Sequence, residues 1–244
     1  MSKLPILAYH NVDHAPSRVR LARLYVTPEQ FERQMWTLQR LGLRGVSVTD
    51  GLVSLSSGDS QKKVVLTFDD GYVDNLECAA PILKKYGFTA TCYVVAERMG
   101  AYNVWDSDYL GVKKPTMNIA QLQVWLAQGL EIGSHTCTHP RLDQLDVAVA
   151  TQEIENSRTV LTSSLGVPVN HFCYPYGRFN ESTSALVKRA GYRSAVASLR
   201  GIARRDDDVF CLPRASIHGD GSWFKFLLKV ATRYEDRYRK KARV

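Results

Sequence analysis

Strand-like and helix-like segments alternate seven or eight times along the 244 residues, with no linker and no internal repeat between them. The strand signals are short apolar runs rich in β-branched residues, at 5–9 (P-I-L-A-Y), 46–48, 63–68 (K-V-V-L-T-F), 89–95, 130–134, 171–174, 193–197 and 215–217. Thr27, Pro28 and Gln30 supply a cap, a first-turn proline and a polar partner three residues on, which opens a helix running to about Leu41. Further helices are predicted over 75–86, 118–129, 146–165 and 180–190, stopped by Gly87, Gly129, Gly166 and Gly191, and a last one begins near Ser222. Residues 96–117 lack a clear period and read as one long functional loop containing Trp105, Asp106 and Asp108. Such alternation predicts an α/β fold: a single-domain parallel barrel or a close relative, with an open doubly wound sheet as the alternative. No G-x-G-x-x-G follows the early strands, so nothing marks a dinucleotide site.

Composition narrows the class. Hydrophobic residues are 45% and charged residues 23%, which excludes disordered and fibrous chains. No apolar run approaches the length of about 18 residues that a membrane span needs. The opening Met-Ser-Lys leads straight into the first strand without a secretory pattern, which predicts a cytoplasmic chain. Five cysteines, an odd number without C-x-x-C, argue against a disulfide framework or a zinc ribbon, and the expected thiols are reduced and mostly buried. The net charge is +8, and eight Lys/Arg against Glu235 and Asp236 place +6 of it between 225 and 244. This segment reads as a last barrel helix with a solvated basic end. A sharper reading rests the basic end on anionic lipid. No nucleic-acid module accompanies it, so nucleic acid is not an expected partner.

The acids and histidines fall where strands end. His10 follows the first strand, Asp69 and Asp70 the strand ending at Phe68, His135 and His139 the strand ending near Ser134. Tyr176 follows the 171–174 strand and His218 the last one. In a parallel barrel all of these occupy one rim, where active sites are built. Two histidines four apart (H-T-C-T-H) and Asp70 suit a divalent cation with an open position. Asp69, beside Asp70, is free to take a proton from a water that the cation acidifies. D-D-G is also ordinary turn chemistry, and the two roles are compatible.

T-F-D-D-G-Y at 67–72 and S-H-T-C-T-H-P at 134–140 resemble the first two motifs of the polysaccharide deacetylases, the NodB-homology domain of carbohydrate esterase family 4. F-C-Y-P-Y-G at 172–177 is similar to the third, and A-Y-H-N-V at 8–12 resembles the branch acting on poly-N-acetylglucosamine and related exopolysaccharides. The resemblance implies a deformed (β/α)7 barrel over 1–221, with 222–244 as a C-terminal helix and basic tail of the same domain. It implies metal-dependent removal of N-acetyl groups from the amino sugars of a polysaccharide or lipid-linked saccharide. It also implies Asp69 as general base, Asp70, His135 and His139 as metal ligands, and Tyr176 at the oxyanion and sugar site. Zinc is the default cation, with nickel, cobalt, iron and manganese as alternatives.

Two departures from the family pattern stand out. The third motif's arginine, which orients the catalytic aspartate, is here Cys173, and Arg214 in L-P-R is the candidate substitute. The fourth motif, with its aspartate and tryptophan, is not recognisable, which leaves Trp105 or Trp223 to wall the site. The general acid that protonates the leaving amine is His10 by the exopolysaccharide branch or His218 by the family's last motif, and the branch favours His10. Other outcomes on the same scaffold are an O-acetyl esterase, a deformylase of a sugar-lipid, or an inactive glycan-binding barrel.

Overall fold

The computed structural model of the chain describes residues 3–239. Lys240, Lys241 and Arg243 of the basic tail lie outside the described residues. Eight strands form one parallel sheet: β1 (Ile6–Tyr9), β2 (Arg44–Val46), β3 (Lys63–Phe68), β4 (Thr91–Val94), β5 (Glu131–Ser134), β6 (His171–Cys173), β7 (Ser194–Val196) and β8 (Ala215–Ser216). The order runs β7-β6-β5-β4-β3-β1-β8, and β2 pairs with the first half of β3 while β4 pairs with its end. Just before β8, Leu212 bridges Val196 of β7, so the segment 212–216 joins the two ends and the sheet curls on itself as a deformed barrel.

Helices α1 (Pro28–Arg40), α2 (Val48–Ser57), α3 (Ala80–Tyr86), α4 (Ile119–Ala127), α5 (Val147–Leu165), α6 (Glu181–Arg189) and α7 (Trp223–Ala231) connect or follow the strands. The expected Thr27 cap is present as a full capping box, with Gln30 N–H donating to Thr27 Oγ1 and Thr27 N–H to Gln30 Oε1. Period-two alternation divides the strands between two cores. Leu7, Tyr9, Leu66, Phe68 and Phe172 face outward into the layer under the helices, against Phe31, Met35 and Trp125. Tyr9 stacks on Phe68 at 5.5 Å, and Phe31 and Trp125 meet Phe68 edge-on at 5.7 and 5.9 Å. Each such ring buried contributes about 1.5–3 kcal/mol. Ile6, Val46, Val65, Tyr93, Cys173, Val196 and Leu212 face the barrel interior.

The structure differs from the sequence reading in places. The second strand is Arg44–Val46, and Val48 opens α2, which the periodicity reading missed. The Ser/Thr/Gly-rich run 47–58 carries a weak helical signal, but Ser47 caps it and Leu55 anchors it in the core. The helix expected from Asn75 begins as a five-residue π turn, Asn75–Ala79, before α3. Residues 96–117 are an ordered excursion, with a helical turn at Ser107–Leu110 and bridges Tyr102–Pro115 and Tyr72–Thr116. His171, one of two histidines away from the rim, belongs to a polar plug at the opposite end of the barrel, bonded to Ser194 and Thr49 and facing Glu131. All five cysteines are free thiols, three of them buried. Among the described residues no helix is long and apolar enough to cross a membrane.

Candidate active site

The C-terminal ends of the strands collect the rim residues. β3 places Val65, Thr67 and Asp69 on alternate positions of one face, so Asp69 continues the barrel interior and Asp70 turns away from it. Asp70 adopts φ 75°, and Gly71 follows at φ 72°. Six non-glycine residues among those described have positive φ, and four of them are Asp70, Thr136, His139 and Tyr176. Such conformations cost energy and persist where surrounding contacts enforce them, and here they cluster at the rim.

Asp70 Oδ1 lies 3.5 Å from His135 Nε2 and 3.4 Å from His139 Nε2, with all three residues buried. His135 Nδ1 is 2.7 Å from the Cys173 carbonyl oxygen, which fixes the proton on Nδ1 and turns the Nε2 lone pair toward Asp70. The His139 ring is held between Trp105 (4.8 Å, stacked) and Tyr176 (4.7 Å, edge-on). Two imidazole nitrogens and a carboxylate oxygen gathered this way, slightly too far apart for good hydrogen bonds, fit a divalent cation between them. A second grouping, Asp69, His135 and Cys173, fits poorly. Arg214 occupies both Asp69 and the Cys173 sulfur, and burial pushes the Cys173 thiol up, away from the thiolate a metal needs.

Arg214 is buried and makes the bidentate pair expected of a substitute for the missing motif arginine. Its Nη1 and Nη2 donate to Asp69 Oδ1 and Oδ2 at 2.7 and 2.8 Å, Nη1 also reaches Thr67 Oγ1 at 3.1 Å, and Nη2 lies 3.2 Å from Cys173 Sγ. Burial drives the Asp69 carboxyl up, but the charge and hydrogen bonds of Arg214 more than offset it and hold the group well below the usual carboxylate range. Asp69 is therefore ionised and oriented.

His10 Nε2 lies 4.0 Å from Asp69 Oδ2. Asn75 Nδ2 donates to the His10 carbonyl at 2.8 Å and Asp74 Oδ1 accepts from Val12 N, which fixes the loop after β1. His218 is not in this contact set. It lines a neighbouring cavity beside Lys229, and burial and that charge lower its pKa. Tyr176 is 43% exposed beneath Arg141, whose guanidinium lies 5.0 Å from the ring centre. Trp223 packs away from the site, its Nε1 donating to Thr37 Oγ1 at 3.0 Å.

Sequence reading missed one support, Glu153, and placed Asp106 in the long functional loop without giving it a role. Glu153 on α5 shapes the 135–139 loop: its Oε2 accepts from Cys137 N and Thr138 N, both at 2.9 Å, and Oε1 accepts from Thr138 Oγ1 at 2.6 Å. Asp106, next to Trp105, accepts from Asn103 Nδ2 at 2.7 Å, and burial with the charge of Asp70 pushes its carboxyl up to about 7.

Comparisons with known proteins place the chain in a family. The polysaccharide deacetylase family model matches residues 56–195, and the chain belongs to that family. YxkH of Bacillus subtilis (strain 168), a protein assigned as a polysaccharide deacetylase, is 30% identical over 218 residues, covering 88% of this chain and 72% of its own length. Poly-β-1,6-N-acetyl-D-glucosamine N-deacetylase of Staphylococcus aureus (strain MRSA252) is 24% identical over 208 residues, 84% of this chain and 71% of that protein. The structure of the Streptococcus pyogenes deacetylase PplD in complex with acetate superposes with a TM-score of 0.79 at 28% identity, covering 93% of this chain and 97% of that one. The chain is thus a deacetylase domain of the carbohydrate esterase type, on the NodB-type barrel that its motifs resemble.

Proposed function

We propose that the chain hydrolyses N-acetyl groups on the amino sugars of a saccharide, with a bound divalent cation. The observation that carries this reading is the ionised, Arg214-held Asp69 next to the convergent Asp70, His135 and His139. Those three residues would hold the cation. Their donor set suits zinc first, with nickel, cobalt, iron and manganese as alternatives. When bound, the cation supplies Lewis acidity to the acyl oxygen and acidifies a water.

The chain's own residues do the rest. Asp69 accepts the proton of the attacking water, because its carboxylate stays charged and Arg214 fixes its plane. The Tyr176 backbone N–H stabilises the oxyanion as the water oxygen adds to the acyl carbon. When the carbon–nitrogen bond breaks, His10 gives a proton to the leaving nitrogen, releasing acetate and a free amine. Its place beside Asp69 supports that role over His218. Trp105 and Tyr176 flank His139 and would wall the sugar site. The Staphylococcus aureus relative's substrate makes β-1,6-linked N-acetylglucosamine oligomers the first candidates.

Residues 1–221 are proposed as the barrel, with 222–244 as part of the same domain; Phe226 and Val230 of α7 lie in the main core, which supports this. The outer face of α7 leaves Trp223 and Phe224 41% and 63% exposed, near Arg33 of α1. This supports a peripheral contact with anionic lipid, to which the basic tail would add. Glu235 and Asp236 hold Arg200 and Arg204, so truncation after Arg239 tests the tail without removing those pairs. Reduced co-sedimentation with anionic liposomes is expected, and unchanged binding would remove the tail's part in it.

Acetate and formate release followed by proton NMR tests the reaction itself. The panel is N-acetylglucosamine oligomers, O-acetylated xylan oligomers and a formylated amino-sugar lipid, each with and without chelator. Chelator-sensitive acetate from the N-acetylated oligomers is expected. Release only from the xylan or the lipid would instead make the chain an esterase or a deformylase, and no turnover of any member with metal bound would favour an inactive glycan-binding barrel.

A further inference from the structure

A cavity of about 410 Å³ lies between the ends of β7 and β8 and helix α7, and the deacetylation chemistry makes no use of it. Arg200, Lys225, Lys229 and His218 line it, opposite the acids Glu235 and Asp220. Glu235 is buried and already accepts from Arg200 Nε at 2.8 Å, and its other oxygen lies 3.9 Å from Lys229 Nζ. One carboxylate is therefore shared by two cations, and Asp220 is exposed to water. Lys229 is largely withdrawn from solvent and anchored by donation to the Ser216 carbonyl.

Burial and neighbouring charges act on two titratable groups of the pocket. Burial lowers the Lys229 pKa, and Arg200 and Lys225 lower it further against the opposing Glu235. Burial lowers His218, and Lys229 and Arg23 add to the effect. A partly desolvated pocket with more cations than anions binds oxyanions, whose charge-assisted hydrogen bonds are strong there. The pocket also adjoins the cleft. β8 pairs directly with β1, Ser216 opposite Ala8 and Ile217 N–H donating to the Ala8 carbonyl at 2.9 Å, so His218 and His10 follow the ends of neighbouring strands.

We propose that this cavity binds a carboxylate or phosphate group carried by the saccharide whose neighbouring unit occupies the Asp69 cleft. The assignment to a saccharide rests on the proposed function. The oxyanion site does not, because its residues are separate from the Asp70 cluster.

Isothermal titration of the metal-loaded enzyme at fixed ionic strength tests this with inorganic phosphate, N-acetylglucosamine 1-phosphate, glucuronate and neutral N-acetylglucosamine. The sugar phosphate and glucuronate are expected to bind saturably, and more tightly than inorganic phosphate or the neutral sugar. Lys229→Met is expected to weaken them about tenfold or more. Lys225→Glu, a change at an exposed side chain expected to leave the unfolding temperature in place, is expected to weaken them about threefold and decides the matter if the Lys229 variant fails to fold. Asp70→Asn is expected to keep binding that still depends on Lys225 and Lys229, which separates this site from the metal cluster. No saturable binding up to about 20 mM would overturn the proposal. So would binding that is lost in Asp70→Asn but kept in both lysine variants. Equal affinity for inorganic phosphate and sugar phosphate would overturn the saccharide-borne assignment. Acetate release from neutral oligomers, measured separately, reports on the deacetylase reading alone.

Discussion

The Arg214 guanidinium reaches across the barrel interior from the segment before β8 and grips both oxygens of Asp69 at the end of β3, at 2.7 and 2.8 Å. The two residues are 145 positions apart in the chain. A fork-to-fork pair of this kind fixes the carboxylate plane, so the lone pairs left to Asp69 point in set directions. It also decides a contest between two large effects. Burial alone would neutralise Asp69, and the adjacent guanidinium keeps it charged.

Replacing Arg214 by Met is expected to shift the pH dependence of turnover. Asp69 works as a base only when ionised, and its pKa in the folded protein is depressed. The acid limb of kcat/KM therefore lies low in the wild type and moves to higher pH in the variant, where burial acts unopposed. The same depression contributes stability that is present above the unfolded-state pKa and lost as pH falls through the folded-state one. At neutral pH the variant leaves a buried carboxylate unpaired, at a cost of about 3–5 kcal/mol. A pH–rate profile with denaturant unfolding checks both. An unmoved acid limb would contradict the role given to Arg214.

Cys173 stands where the family's motif arginine would be, and its sulfur lies 3.2 Å from Arg214 Nη2. Restoring an arginine there should therefore hurt. Cys173→Arg is expected to lose about 1–3 kcal/mol by overpacking, with like-charge repulsion added, and to lower acetate release. Cys173→Ser should stay within a few-fold of wild type. A Cys173→Arg variant more active than wild type would mean that Arg214 does not replace the motif residue.

Glu153 holds the turn that aims His139, through two backbone N–H groups and the Thr138 hydroxyl. Glu153→Gln keeps the size but loses charge and one acceptor oxygen. Metal affinity, read by competition with a chromophoric chelator, is expected to fall about 10–100-fold. Unchanged affinity would show that the loop needs no such brace.

Gly177 has φ 64°, and a Cβ there would lie 1.9 Å from Ser198 Oγ and 2.3 Å from the Ser198 backbone nitrogen. Gly177→Ala is expected to destabilise the protein by about 2 kcal/mol or more and to displace Tyr176. Thermal unfolding with the KM for an N-acetylglucosamine oligomer would reveal both. A variant as stable as the wild type would refute the steric argument.

Much of the rim was legible because its residues follow strong strands. The run K-V-V-L-T-F can only be a buried strand, so D-D-G must lie at its end, and the same holds for H-T-C-T-H after the strand ending at Ser134. Arg214 was legible only as the candidate for a gap that Cys173 opened. Its grip on Asp69 depends on the barrel closing, which no local pattern encodes. Helix α2 was hidden by its serines, threonine and glycine, whose local propensity is overridden by a Ser47 cap and core contacts. Glu153 was invisible because an acid on a long helix looks like any solvated side chain until the loop it caps is folded against it. The stacking of Trp105 on His139 depends likewise on the path of an irregular segment with no period to read.

The division of labour between the paired aspartates is the central claim, and Asp69→Asn and Asp70→Asn assayed side by side test it most directly. Bound metal by elemental analysis and acetate release from an N-acetylglucosamine oligomer are read on the same samples. Asp69→Asn is expected to keep about one equivalent of metal while losing turnover by a factor of about 100 or more. Asp70→Asn is expected to lose both metal and turnover. Full turnover in Asp69→Asn, or undiminished metal in Asp70→Asn, would contradict the account.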